Sequence, residues 1–223
     1  MKKSFLLLIT PLFAFAIQAQ NVKIKVEEKS ENIGGGSHNC LVVTIYDAKP
    51  DDIKKEWKSE MKDYNAKVTS GDEIVADNAL IKDISANTCD VYAKTEKGSA
   101  DNETVFTVGF LLGETWLTSS ANPASYKAAE KIVKDFATKM TKEAIADIVA
   151  AEQKKMDNLN SDQKDLEKKN KSLNDDIVSY QKKIDQAKSD IKDNEDAQSK
   201  QKAAIDAQQK VLDAAKARQN SVE

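Results

Sequence analysis

The segment GGGSHNC at residues 34–40 places the only histidine of the chain, His38, two residues from Cys40. Residues two apart on an extended strand point to the same face. The pair is therefore a candidate nucleophile and base, the chemistry in which an imidazole takes the proton of a thiol. With Cys89 added, the same residues would offer three nitrogen and sulfur donors to a zinc ion, although their spacing fits no compact metal motif. The glycine triplet lacks the Lys-Ser/Thr pair and the following helix of a phosphate loop. It reads instead as a hairpin connection, where glycine accepts positive φ without strain. No other histidine, and no convergent set of serine and acidic residues, accompanies these groups. The expectation is a chain without catalytic, cofactor-binding or metal-binding residues.

Two cysteines in an exported chain suggest a second use, a Cys40–Cys89 disulfide. It would close a loop of about 50 residues and contribute on the order of 4 kcal/mol. Strand phase argues against it. Cys40 alternates with Leu41, Val43 and Ile45, whereas Cys89 shares a face with Val91 and Ala93. If both apolar sets line one core, the thiols point to opposite sides and behave as small hydrophobes. The two readings stand against each other.

The export itself is read from MKKSFLLLITPLFAFAIQAQ, residues 1–20. Two lysines, an apolar run and a small residue at Ala19 predict a signal peptide over residues 1–19. The expected destination is the bacterial periplasm or the exterior, with no membrane span remaining after cleavage. The rest divides by composition. Residues 124–223 contain no glycine and no proline, while residues 21–123 hold both tryptophans and both cysteines. The earlier part has 12 basic against 18 acidic residues and the later part 20 against 19, so neither offers the positive face that nucleic acid requires.

Residues 20–121 predict a small α+β domain. Val22, Ile24 and Val26 alternate with charged residues as in a half-buried strand, and CLVVTIYD is apolar on both faces, as in a central one. Pro50, followed by Asp51 and Asp52, marks a helix start. Ile53, Trp57, Met61 and Tyr64 give that helix one apolar stripe. Two or three further strands follow around EIVADNALI, CDVYAK and ETVFTVGFLL, the last with Phe106, Val108, Phe110 and Leu112 on one face.

What these elements serve becomes clearer downstream. Residues 122–150 predict an amphipathic connecting helix with a stripe of Ile132, Phe136, Met140, Ala144 and Ile148. Residues 151–219 predict a coiled coil with an unbroken heptad frame. Its apolar a positions are Met156, Ile177, Ile184, Ile191, Ile205 and Leu212. Its apolar d positions are Leu159, Leu166, Leu173, Tyr180, Ala187 and Ala215. A continuous helix through this frame would run about 140 Å at 1.5 Å per residue. The alternative is a hairpin turning at KKNKSLN near residues 170–174. The frame passes through that stretch without a phase break, which favours the continuous helix.

The flanking positions favour an antiparallel mate. A parallel in-register pair sets Asp162 near Glu167, Lys183 near Lys188 and Asp190 near Glu195, all repulsive. The g series Asp162, Lys169, Asp176, Lys183, Asp190 alternates in sign, so an offset antiparallel helix can match it. In layout, a small exported β-containing body with a long helical arm resembles the Skp family of periplasmic holdase chaperones, whose arms grip unfolded outer-membrane proteins. The chain departs from that family in its slightly acidic balance and in lacking strands after the helix, and no residue is carried over. The reading overall is a non-enzymatic envelope interaction or scaffold protein that associates with itself or a protein partner through the coiled coil. The alternatives are a small-ligand-binding protein or enzyme using the α+β domain, or a holdase with a helical arm.

Overall fold

A computed structural model describes residues 22–220, so the expected signal peptide at residues 1–19 lies outside the described residues. The chain divides into two units, one ending at Ala151 and one beginning at Glu152. The first is α+β. It contains β1 (Val26–Ile33), β2 (Gly36–Tyr46), α1 (Pro50–Asp63), β3 (Lys67–Ser70), β4 (Ile74–Ala79), β5 (Cys89–Lys97), β6 (Glu103–Leu112), β7 (Thr115–Trp116) and the beginning of α2 (Pro123–Asn220). The strands form one antiparallel sheet of seven in the order β1-β2-β6-β5-β4-β3, with β7 paired to β6.

Local chemistry explains the elements. Pro50 opens α1, and Asp51 and Asp52 occupy its first turn where no side chain caps the helix. Ile53, Trp57 and Met61 are fully buried from that helix. β1 begins at Val26, not at Val22. Its limits follow from backbone pairing with β2, from Val26 opposite Val43 to Ile33 opposite Gly36, around the two-residue turn Gly34–Gly35. Both turn residues have positive φ, the geometry whose twist matches a hairpin. Ile24 lies before the strand yet still packs on the core.

One face of the sheet carries the main core, where Leu41, Val43, Ile45, Phe106, Val108 and Phe110 meet α1 and the first turns of α2. Trp57 is its centre, with ring contacts of 5.1 Å to Phe106 and 4.8 Å to Phe136, both edge-to-face. The stripe that α2 buries here is Ala129, Val133, Phe136, Ala137 and Met140, while Ile148 is exposed. Thr141 is buried with them and accepts the Tyr46 N–H through Oγ1 at 3.2 Å. The segment expected to connect two domains is thus a layer of the first one.

Candidate functional site

The second face of the sheet holds His38 and Cys40, the pair singled out for nucleophilic chemistry. The β1–β2 hairpin curls across this face, so its tip meets strands that are not its neighbours. The Gly34 N–H donates to Glu73 Oε2 at 3.0 Å, just before β4, and Glu31 of β1 lies 4.0 Å from Lys94 of β5. A small apolar cluster of Ile33, Cys40 and Val42, flanked by Tyr92, Val105 and Trp116, fills the space beneath. A side chain at Gly34 would collide with Trp116, its Cβ falling 2.8 Å from the indole.

This environment opposes thiolate chemistry at Cys40. Burial, with the Glu31 carboxylate adding to it, pushes the Cys40 thiol up to about 11. The thiol donates to the His38 carbonyl oxygen at 3.4 Å. The His38 imidazole stacks on Trp116, with ring centroids 4.1 Å apart and planes 11° from parallel. The pairing of base and nucleophile suggested by the spacing is replaced by an aromatic stack and a buried, protonated sulfur.

Cys89 is on the other face, in the main core, donating weakly to the Ala79 carbonyl at 3.7 Å. Burial raises its thiol to about 11 as well. Both cysteines are free. Of the two readings left open, the structure holds buried thiols on opposite faces of the sheet, the arrangement that strand phase favoured. The same separation keeps Cys89 from His38 and Cys40, and among the described residues no group of three or more His, Cys, Asp or Glu side chains is placed to hold a metal ion. The His38–Trp116 stack had no signal in the sequence, because it depends on the curl of the hairpin.

The second candidate lies in the unit beginning at Glu152. There α2 is unbroken through residues 170–174, so the hairpin alternative is not adopted. Every described residue from Glu152 to Asn220 is exposed. The large apolar residues at the a and d positions from Met156 to Leu212 are between 44% and 63% exposed. Those values are what a bare helix leaves open after its own turns are counted, since side chains three and four apart cover one another only in part. Local polar contacts follow the helix period. Gln181 donates to Asp185 Oδ1 at 3.0 Å and Gln186 to Asp190 Oδ1 at 2.8 Å. Among the described residues no helix is long and apolar enough to cross a membrane.

No family model matches the chain, and neither the curated proteins nor the solved structures show a match to it.

Proposed function

We propose that the protein is a non-enzymatic interaction or scaffold protein of the cell envelope. Its α+β unit recognises or anchors, and its heptad face associates with a second helix. The observation that carries this reading is the heptad row of Leu159, Leu166, Leu173, Ile177, Ile184 and Ile191, each between 49% and 63% exposed. Water contact with that much aligned apolar surface is unfavourable by about 25 cal/mol per Å², and a mating helix removes it. The signal peptide expected at residues 1–19 supports an envelope location. The buried, protonated Cys40 beside a stacked His38 supports a role other than catalysis.

The test is the triple substitution Ile177→Lys, Ile184→Lys and Ile191→Lys in the full chain. Three ammonium groups in a mated seam are unfavourable without partners. Association measured by sedimentation should be lost, while the near-ultraviolet signal of the α+β unit stays as in the parent. Association equal to that of the parent would overturn the heptad face as the surface used.

A further inference from the structure

Building on that reading, we propose that the occupant of the seam is a second copy of this chain, running antiparallel, with the twofold axis between Val178 and Ser179. The argument is the fit of the chain to itself at that register. Ile177 then packs opposite Tyr180 of the second copy, Ile184 opposite its Leu173 and Ile191 opposite its Leu166. The twofold axis repeats each layer, so the most apolar part of the frame mates entirely with itself.

The charges beside the seam agree with the same register. In an antiparallel pair, g positions face g and e positions face e. Asp176 falls opposite Lys183, Lys169 opposite Asp190 and Glu167 opposite Lys188, and symmetry doubles all three. No like-charged pair arises at g or e. A slip of one heptad in either direction reverses the pattern. In one direction it brings Asp176 against itself and Lys169 against Lys183; in the other, Lys183 against itself and Asp176 against Asp190. A slip of two heptads toward the N-terminus restores opposite charges but sets Asn170 against Leu173 at the centre. Flanking charges exclude the one-heptad slips and the apolar layers exclude the two-heptad slip toward the N-terminus, so the alignment rests on both together. A parallel in-register pair satisfies neither set of flanking charges.

The experiment uses the full chain with both native cysteines replaced by alanine and single spin labels on outward positions. Labels at Lys168 in both copies should lie far apart, with an axial offset of about 32 Å from 21 residues at 1.5 Å each. Mixing chains labelled at Lys168 with chains labelled at Ser189 should give a shorter distance, because those positions are level across the axis. The reverse order of distances would mean parallel helices and overturn the proposal. A charge exchange provides the energetic arm. Asp176→Lys alone should weaken dimerisation roughly tenfold by turning two attractions into repulsions, and adding Lys183→Asp should restore it. No change from the single exchange would overturn the register. A chain that is monomeric by sedimentation but still helical would overturn the second copy as occupant. Failure of the seam itself reads differently: the chain is then dimeric, and the triple lysine variant associates as the parent does.

Discussion

Two stretches of α2 carry apolar stripes of similar spacing and meet opposite fates. Ala129, Val133, Phe136, Ala137 and Met140 are at most 5% exposed, whereas Ile177, Ile184 and Ile191 are at least 49% exposed. Helical propensity does not separate them, for neither contains glycine or proline. The difference is what the chain supplies to cover each stripe. The first finds a sheet and α1 within its own unit; among the described residues the second finds nothing. Periodicity therefore specifies that a face wants burial, and the remaining sequence decides whether the chain itself provides it.

The largest test of this contrast is one substitution in each stripe. Phe136→Ala should lower the stability of the α+β unit by about 3–5 kcal/mol, because it removes a ring packed on both Trp57 and Phe106. Ile184→Ala should leave that transition within about 0.5 kcal/mol, as exposed changes do. Urea denaturation followed by tryptophan fluorescence measures both. Equal losses would break the comparison.

Alkaline pH sharpens it next, since Cys40 and Cys89 sample the two faces of the sheet. Each thiol moves from 9.0 in the unfolded chain to about 11 when folded. The unfolded state therefore releases protons first, so this stabilisation is complete below pH 9 and is lost as pH rises from 9 through 11. The loss is on the order of 2 kcal/mol per thiol by pH 10.5. Tyr126, pushed up to about 12 chiefly by burial, adds in the same direction. Denaturant midpoints at pH 8 and 10.5 should show a smaller fall for Cys40→Ala and for Cys89→Ala than for the parent.

A smaller effect is expected at the hairpin tip. Gly34→Ala places a side chain at φ +61 against Trp116, at an expected cost of about 1–3 kcal/mol. Loss of the His38–Trp116 stack, read from indole fluorescence, should accompany it; an unchanged spectrum and stability would mean that the curl tolerates crowding. The smallest effect belongs to Lys139→Ala, which breaks the exposed ion pair with Glu56. It should change stability by less than about 1 kcal/mol, and less still in high salt.

The sequence discloses elements whose cause is local. Pro50 with its two aspartates, the Ile53–Met61 stripe and the alternation through Phe106–Phe110 all lie where periodicity places them. The unbroken helix through residues 170–174 is legible for the same reason. β3 (KVTS) and β7 (TW) are not legible, because four and two residues of modest apolarity carry no period. The start of β1 is set by counting back from the Gly34–Gly35 turn, and alternation at Val22 and Ile24 misleads because Ile24 reaches the core without joining a strand. At the candidate site, the spacing of His38 and Cys40 is correct for a shared face, but what each touches depends on the curl of the sheet. Glu31 faces His38 across the β1–β2 hairpin, whereas Trp116 comes from an element whose approach no local pattern records.

Under the proposed association, the bareness of residues 152–220 makes protein concentration a structural variable. A helix without tertiary contacts rests on its hydrogen-bond ladder and on side-chain pairs worth a few tenths of a kcal/mol each, and it frays from its ends. Whatever mates with the seam binds the ordered form and adds RT ln(1 + [L]/Kd) to its stability. For the α+β unit, order is a property of one molecule. If the later segment mates as proposed, its order is set by mass action, and dilution should shorten the ordered part of the helix while the α+β unit remains unchanged.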